Sequence, residues 1–420
     1  MHGFILYDDM ERALINSRPF QRLRRIKQLA TTYLLYPGAV HTRFEHSLGV
    51  MDLATRIFDL LVLKHRAELE VALGLSDRAD TKRLRRILRL AALLHDIGHA
   101  PFSHGPESLL PGGHEQMTKR LIEEGEIQQL VEDGFYQAGI KVKDILPVAI
   151  GPKESQKAGL ELSAQSQFLT EIITGTFGAD RIDYLLRDSL HTGVKYGQFD
   201  ADRFIHTLAF IAHPETGDPM VALEKGGVHA AEGLLLARYF MFQQVYFHKV
   251  RRIYDHHLTQ FVTELLEGKG FPVTDLNAYL LWDDALVEHE LVEWGSAGRS
   301  RVARDILARN HYRVAYEVPL AELDEDLADW IGPIAKQLQR EFGEDVWVDY
   351  DYKPFAPARE LGMPVVDGKK RTSWEQESRL LKTLPPLGFA RVYARNDKPL
   401  RKAVESRARE LVGSSVKQSA

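Results

Sequence analysis

The chain has 420 residues and a formal net charge of −5 at pH 7, from 54 Lys and Arg against 59 Asp and Glu. This balance excludes a global basic field that would favour nucleic acid or membrane surfaces, so an anionic substrate must be attracted by a local cluster of cations. The chain contains no cysteine, which excludes disulfides, thiolate zinc sites and cysteine nucleophiles and leaves His and carboxylates as metal ligands.

Helical periodicity dominates residues 1–310. Apolar residues recur at helical spacing after His46, and residues 81–96, 167–188 and 232–266 show the same period. Residues 81–96 should bury one apolar face and expose a basic one. The buried face is predicted to consist of Leu84, Ile87, Leu88, Ala91 and Leu94.

The pattern changes after Asn310, where short β-branched and aromatic runs indicate strands. The predicted strands are RVAYEV at 313–318, DVWVDYDY at 345–352, MPVVDG at 363–368 and FARVYAR at 389–395, accompanied by helices at 322–342 and 398–412. We therefore predict a mainly α protein, with a large helical domain over residues 1–310 and a small α+β lobe over residues 311–420. No segment resembles a signal peptide or a membrane span, so we expect a cytoplasmic protein without a membrane partner.

The strongest chemical signal is the adjacent pair His95 and Asp96 at the end of a predicted helix. Neighbouring side chains on a helix point about 100° apart, so both can reach one ion only beyond the helix end, with other ligands arriving from elsewhere. His46 and Asp180, each near the start of a helix, complete a set of two imidazoles and two carboxylates. This set suits Fe, Mn, Zn, Co or Ni, and Mg also remains open.

Each of these residues has a structural alternative, because a His-Asp pair is often a surface pair and Asp180 could simply favour a helix N-terminus. The density of imidazoles argues otherwise. His95, His99, His104 and His114 fall within a segment that is apolar or rich in Gly and Pro. Burying so many imidazoles without a polar task would be costly, so a functional cluster is the favoured interpretation.

Six segments together resemble a known family of enzymes. They are FQRLRRIKQL, YPGAVHTRFEHSLGV, LLHDIGHAPFSH, GGHEQ, DRIDYLLRDSLHTG and VYFHKV, in this order between residues 2 and 310. Their sequence resembles the HD-domain deoxynucleoside triphosphate (dNTP) triphosphohydrolases, in particular the animal sterile-alpha-motif-and-HD-domain enzymes and their bacterial relatives. The resemblance implies a helical HD-domain core and metal-dependent cleavage of dNTPs to deoxynucleoside and triphosphate. It assigns the metal to the four residues already identified, with an additional Mg²⁺ on the substrate phosphates.

The same resemblance implies roles around the scissile α-phosphate. Water polarised by the metal would attack the α-phosphorus, and His104 would protonate the departing 5′-oxygen while Glu107 sets its tautomer. The division of labour between His104, His99 and His114 stays open, because the last two could instead support the metal ligands or anchor loops. The residues implied to hold phosphate oxygens are Arg43, Arg181 and Arg238.

Sugar recognition is implied at a second group of residues. Asp180, Tyr184 and Asp188 are spaced to lie on one helix face, and Arg238 and Tyr246 would share another. By resemblance, Tyr184 would occupy the space of a ribose 2′-hydroxyl, and Gln28 and Asp188 would bind the 3′-hydroxyl. Ordinary core packing is the alternative for both tyrosines. Phe247 replaces a family Gln near the base, so we expect little discrimination between bases.

The animal enzymes are activated by nucleotides bound between subunits, and four residues here match that regulatory site. They are Gln21, Arg24, Arg203 and Arg304. Asn16 replaces a carboxylate that selects guanine and Ala308 replaces a Lys, so we predict a homotetramer whose nucleotide activation is relaxed or lost. The alternative is that FQRLRRIKQ is only a basic amphipathic helix with a solvated face.

Two other functions compete with dNTP hydrolysis. One is an HD-type nuclease or phosphodiesterase acting on single-stranded nucleic acid or a modified nucleotide, because the metal set alone would serve either reaction. The basic runs lack the interleaved aromatic residues of a single-strand groove, which disfavours nucleic acid as a partner without excluding it. The other is a catalytically silent nucleotide- or nucleic-acid-binding module, which would need a broken metal set, whereas the set here is whole.

Overall fold

Helices dominate the computed structural model, which describes residues 1–213, 215–323, 325–353, 363–378, 380 and 384–419. The predicted mainly α fold class is confirmed. The α-helices are α1 Asp9–Asn16, α2 Arg18–Arg22, α3 Arg43–Ala72, α4 Arg78–Leu94, α5 Gly113–Glu123, α6 Glu126–Gly134, α7 Val142–Lys157, α8 Ala164–Thr174, α9 Ala179–Thr192, α10 Ala201–His206, α11 Val228–Met241, α12 Lys249–Leu265, α13 Leu276–Tyr279, α14 Asp284–Ser296, α15 Arg301–Leu307, α16 Leu327–Phe342, α17 Trp374–Glu377 and α18 Lys398–Ser419. The strands are β1 Leu208–Ala212, β2 Pro219–Glu224, β3 Arg313–Glu317, β4 Val346–Lys353, β5 Pro364–Asp367, β6 Lys370–Ser373 and β7 Leu387–Ala394.

Two of the helices that position the predicted metal ligands, α3 and α4, form as expected and pack against each other. A capping box fixes the start of α3, where the backbone N–H of Thr42 donates to Glu45 Oε1 at 3.0 Å, so His46 falls in the first turn. The side chain of Asp77 caps α4, which ends at Leu94 immediately before the predicted ligands. All five predicted core residues of α4 are buried: Leu84, Ile87, Leu88, Ala91 and Leu94.

The single helix predicted over 167–188 is wrong, because the chain breaks between α8 and α9. A side chain at Gly178 would place its Cβ only 2.3 Å from the carbonyl oxygen of Ile173, so this turn requires glycine. The apolar period continues across the break and hides it from sequence reading. The break sets Asp180 in the first turn of a new helix.

The continuous helix predicted over 232–266 is also wrong. It divides into α11 and α12, joined by a π-helical turn at Phe242–Tyr246. His248 then caps α12 by accepting from the backbone N–H of Val250 at 3.2 Å. Arg238 and Tyr246 therefore do not share one continuous helix face.

Two small sheets complete the fold. The first has the strand order β1-β2-β5-β6, and the second has the order β3-β7-β4. All four strands predicted after Asn310 are confirmed, but the β1–β2 hairpin was not predicted, because a short apolar run such as LAFIA cannot be distinguished from buried helix. The helix predicted over 322–342 begins only at Leu327, and the helix predicted over 398–412 extends to Ser419.

The predicted domain boundary at residue 310 remains a prediction, and a β-sheet and several side chains join the residues on its two sides. Strand β5 lies parallel to β2 of the helical part, with Val365 beside Leu223. Val365 and Trp374 belong to the main hydrophobic core, whereas β7, α16 and α18 form a second core around Leu338 and Val392. Among the described helices, none combines the length and the apolar character needed to cross a bilayer.

Candidate active site

The four predicted metal ligands converge at the meeting point of α3, α4 and α9. Asp180 Oδ1 lies 3.1 Å from His46 Nε2 and 3.9 Å from His95 Nε2. Asp96 completes the group, with Oδ2 at 3.5 Å from His46 Nε2 and Oδ1 at 3.4 Å from His95 Nε2. The Asp180 side chain is 28% exposed and the other three are buried, so the group opens to solvent on the side of α9.

The two imidazoles each turn one ring nitrogen toward the candidate metal group. His46 Nδ1 donates to Asp183 Oδ2 at 2.8 Å and His95 Nδ1 donates to the carbonyl of Ala92 at 2.7 Å, so each ring presents its Nε2 lone pair to the group. Both Nε2 atoms are buried and make no hydrogen bond. Two buried imidazole lone pairs facing two carboxylates fit a divalent transition metal, because nitrogen and oxygen donors at these separations can share one ion.

Asp183 supports the metal group and was missed by sequence reasoning. Its Oδ1 contacts His2 Nε2 at 2.5 Å, and both oxygens accept from Arg187, at 2.7 and 2.9 Å. A Cβ at Gly49 would lie 2.0 Å from Asp183 Oδ1, so only glycine lets this carboxylate approach α3. Burial raises the pKa of the Asp183 carboxyl, but hydrogen bonds from His2, His46 and Arg187 lower it overall. The i, i+4 pair of Asp183 and Arg187 was visible in the sequence, but its partner His46 was not.

The predicted catalytic histidines form a second cluster beside the first. His99 stacks on His114, with ring centroids 3.9 Å apart, and His104 meets both rings edge-on at 5.0 and 5.5 Å. Glu107 bridges this cluster: Oε2 accepts from His104 Nδ1 at 2.5 Å, and Oε1 accepts from His114 Nδ1. The buried His99 links the clusters, with Nε2 at 3.3 Å from Asp96 Oδ1.

Exposure and charge distinguish the members of this second cluster. The side chain of His104 is 52% exposed, whereas that of His114 is 17% exposed and that of His99 is buried. Burial raises the pKa of Glu107, but hydrogen bonds from His104 and His114 lower it overall, so Glu107 is a carboxylate at neutral pH. Burial, with the charges of Arg43 and His114, lowers the pKa of His99 well below its usual range, so His99 is neutral. His104 is therefore the most exposed member of the cluster.

The residues predicted to bind the sugar also come together. Asp188 Oδ2 accepts from the Tyr246 hydroxyl at 2.7 Å, and Tyr184 meets Tyr246 edge-on at 6.3 Å. Asp188 Oδ1 bonds His41 Nε2 at 2.7 Å, and the backbone N–H of Gln28 donates to the carbonyl of His41 at 3.0 Å. His41 was missed, because nothing in the local sequence connects it to a helix far along the chain. Gln28 Oε1 is buried without a hydrogen bond, which leaves an acceptor for a ligand hydroxyl.

Arg43 joins the metal group to the loop that follows it. Its Nη1 donates to Asp96 Oδ2 at 2.5 Å and its Nε donates to Ser103 Oγ at 2.9 Å. Burial raises the pKa of the Asp96 carboxyl, but Arg43 with the neighbouring imidazoles holds it well below its usual range. Arg43 is thus adjacent to the metal group, and its predicted contact with phosphate stays a prediction.

The other two predicted phosphate ligands approach from separate helices. Arg181 follows Asp180 in α9 and donates from Nη1 to the carbonyl of Thr176 at 3.0 Å, and Arg238 lies near the end of α11. Burial raises the pKa of the Tyr184 phenol to about 12, and the charges of Arg181 and Arg238 oppose this rise. Both cations therefore lie close enough to Tyr184 to influence its phenol.

Comparisons with known proteins agree with this geometry. Residues 43–135 match the HD domain, and residues 199–412 match the HD associated region. The chain belongs to the HD-domain family. It is similar to the deoxynucleoside triphosphate triphosphohydrolase SAMHD1 of Bos taurus, with 32% identity over 62% of this chain and 45% of that protein. It is also similar to the uncharacterized protein YwfO of Bacillus subtilis, with 33% identity over 67% of this chain and 58% of that protein.

A solved structure resembles the whole fold of this HD-domain protein. The crystal structure of a hypothetical protein from Aquifex aeolicus has a TM-score of 0.74 and 33% sequence identity, and the match covers 96% of this chain and 97% of that one. By contrast, the chain spans only about half the length of the curated relatives named above. The family match and these relatives support a hydrolase of the HD type with a candidate site for a divalent metal.

The predicted regulatory residues of this HD-domain protein lie in three separate regions of the chain. Arg24 Nε donates to Gln21 Oε1 at 2.9 Å, so these two residues adjoin each other. Arg203 donates to the carbonyl of Gly226 at 3.1 Å, and Arg304 lies on α15. The nucleotide activator and the homotetramer stay predictions.

Proposed function

We propose that this protein is a metal-dependent dNTP triphosphohydrolase that converts dNTPs to deoxynucleoside and triphosphate. The observation that carries the proposal is the junction of two clusters. The two unpartnered Nε2 atoms of His46 and His95 face Asp96 and Asp180, and the histidine cluster begins only 3.3 Å away, at His99. A phosphate at the metal group would therefore lie beside the histidine cluster that contains His104, the proposed proton donor.

The proposed reaction divides the work among named groups. When bound, a divalent cation supplies Lewis-acid charge to the α-phosphate and to the attacking water. The water oxygen bonds to the α-phosphorus as the bond to the 5′-oxygen breaks, and His104 gives the 5′-oxygen its proton. The proton that the water loses passes to solvent, from which the His104 imidazole is protonated again. Glu107 accepts a hydrogen bond from His104 Nδ1. This bond would orient the ring with Nε2 toward the leaving group and would stabilise the protonated imidazole. Arg43 balances the negative charge that gathers on the phosphate.

Selection of deoxyribose is assigned to the group around Asp188. Its two oxygens are held by His41 and Tyr246, so a sugar 3′-hydroxyl would use a remaining lone pair of the carboxylate, with Gln28 Oε1 as a second acceptor. The ring of Tyr184 would occupy the position of a 2′-hydroxyl. A preference for deoxynucleotides would then come from exclusion by shape.

The metal identity and the setting of the reaction belong to the same proposal. Mn, Fe, Co, Ni, Zn and Mg remain candidates for the site, and a second Mg²⁺ could accompany the phosphates. We place the enzyme in the cytoplasm, as a homotetramer in which Gln21, Arg24, Arg203 and Arg304 would bind an activating nucleotide.

The charge distribution on α4 favours a free nucleotide over single-stranded nucleic acid as the substrate. The basic face of this helix is largely neutralised by ion pairs. Arg85 pairs with Asp59 at 2.7 Å and Arg86 pairs with Asp8 at 2.6 Å. The buried Arg89 pairs with Glu11. A face whose guanidinium groups already hold carboxylates provides little free charge for a phosphate backbone.

The test is a panel of the four dNTPs and four NTPs, alone and in pairs, with each of the six metals, analysed by anion-exchange chromatography. We expect deoxynucleoside and tripolyphosphate in equal amounts, and no product from an Asp96→Ala variant that has lost the metal. Release of monophosphate with pyrophosphate would refute the proposed bond cleavage. Degradation of a single-stranded oligonucleotide without turnover of any dNTP would instead establish the nuclease alternative.

A further inference from the structure

Asp284 is a buried carboxylate that holds two distant parts of the active site by their backbones. Its side chain is 3% exposed, at the first residue of α14. Oδ1 accepts from the backbone N–H of Phe102 at 2.6 Å, and Oδ2 accepts from the backbone N–H of Lys27 at 2.9 Å. Each oxygen therefore serves a different segment, and the two segments lie 75 residues apart in the chain.

The first of these segments is a strained turn next to His104. Phe102 and Ser103 both have left-handed backbones, with φ of 57° and 53°. Residues with a Cβ rarely adopt this conformation, and such strain persists only where the surroundings impose it. On the far side, the hydroxyl of Thr259 donates to the carbonyl of Gly105 at 3.0 Å. The turn is thus fixed on both sides of His104, and Asp284 provides the contact on the N-terminal side.

The second segment carries Gln28, and a hydroxyl ties it to the first. Ser103 Oγ donates to the carbonyl of Lys27 at 2.6 Å and accepts from Arg43 Nε at 2.9 Å. Both backbone groups of Lys27 are therefore engaged, the N–H by Asp284 and the carbonyl by Ser103. One carboxylate and one hydroxyl thereby set the spacing between Gln28, Arg43 and His104.

A carboxylate is the group that this arrangement requires. Both of its partners are N–H donors, and an amide side chain in its place would oppose one donor with another. Burial raises the pKa of Asp284 to about 6, although the charge of Lys27 and the two backbone hydrogen bonds oppose the rise. Burying an acid costs free energy. The start of α14 does not require Asp284, because the adjacent Asp283 already caps the helix by accepting from the N–H of Leu286 at 3.0 Å.

We propose that Asp284 is a positioning residue that sets the distance between the proton donor His104 and the residues that hold phosphate and sugar. The inference rests on the proposed function, in which His104 protonates the leaving 5′-oxygen. It predicts that loosening the clamp slows the step in which the proton is transferred and leaves metal binding intact.

The experiment compares Asp284→Asn with Asp283→Asn, a matched change at the neighbouring carboxylate that keeps its helix cap. Each protein is assayed with a dNTP and with p-nitrophenyl triphosphate, whose leaving group needs no proton. For Asp284→Asn we expect kcat on the dNTP to fall roughly 10- to 100-fold, the effect of misplacing a catalytic group by about 1 Å. The Kd for Mn²⁺, KM and the rate with p-nitrophenyl triphosphate should stay near wild type. Asp283→Asn should change none of these.

Three results would overturn the proposal: an unchanged kcat on the dNTP, an equal loss with both substrates, or a loss of Mn²⁺ binding. If Asp284→Asn does not fold, Asp284→Ser carries the same prediction, because it removes the double acceptor without burying an amide donor. Hydrogen exchange separates this inference from the proposed function. Exchange in residues 100–105 should rise in the variant even if the wild type proves inactive on dNTPs, and unchanged exchange there would refute the clamp whatever the substrate.

Discussion

Replacing Asp183 with Asn should weaken metal binding although Asp183 is not itself a predicted ligand. The carboxylate accepts from three donors: His46 Nδ1 at 2.8 Å, both arms of the Arg187 side chain, and His2. An amide keeps the volume but turns an NH₂ group toward at least one of these donors. The ring of His46 would then lose the contact that fixes its tautomer and keeps the Nε2 lone pair aimed at the cation.

The expected size of this effect follows from the supporting role of Asp183. Loss of the partner behind a metal-binding imidazole weakens metal binding by about 10- to 100-fold, or roughly 1.4 to 2.7 kcal/mol. A separate loss of stability, on the order of 3 kcal/mol, is expected because the Arg187 side chain, 10% exposed, would lose its buried anion. Metal affinity must therefore be measured below the lowered Tm.

The assay is isothermal titration of the metal-free protein with Mn²⁺, with Tm recorded for each variant. His2→Ala is the matched comparison, because it removes a partner of Asp183 but leaves the contact between His46 and Asp183 in place. It should weaken Mn²⁺ binding less than Asp183→Asn does. If Asp183→Asn remains folded and binds Mn²⁺ as tightly as the wild type, the argument from the His46 tautomer is wrong.

Three further predictions follow from the same structure. His104→Ala should keep Mn²⁺ binding while kcat on dNTPs falls on the order of 10²- to 10⁴-fold; an unchanged kcat in a steady-state assay would remove His104 from the acid role. Tyr184→Ala should raise NTP turnover relative to dNTP turnover, and a constant ratio of kcat/KM values would contradict exclusion of the 2′-hydroxyl. Burial raises the pKa of Glu171 from 4.5 to about 7, so the fold should lose stability as pH rises through this window. Glu171→Gln should remove that loss, so its free energy of unfolding in urea should exceed that of the wild type by on the order of 2 kcal/mol at pH 8 but not at pH 4. Equal gains at both pH values would point to another cause.

The metal group could be anticipated from sequence because its ligands lie at helix ends. Periodicity places the last turn of α4 just before His95 and Asp96, and a pair pointing off a helix end can share an ion only with ligands from other elements. His46 and Asp180, each near the start of another predicted helix, are then the candidates for the remaining two ligands. The distances among the four side chains agree with that reasoning.

The supporting contacts could not be anticipated, because they depend on residues far apart in the chain. Asp183 meets His46 and His2, and Asp284 meets two backbone N–H groups that no side-chain pattern reveals. The errors in secondary structure have a similar origin. An apolar period persists through the glycine turn before Asp180, and the β1–β2 hairpin satisfies a pattern that buried helix satisfies equally well.

The parallel pairing of β5 with β2 has a consequence for how the protein can be divided. A chain that stopped at residue 310 would contain every predicted ligand and catalytic side chain, but the outer edge of β2 would have no neighbouring strand. The shortened chain would also lack Trp374, whose ring centroid lies 4.7 Å from that of Phe177. The space left by this ring would expose apolar surface beside the open edge of β2. Such edges recruit other chains, so the shortened protein should aggregate rather than act as a minimal enzyme.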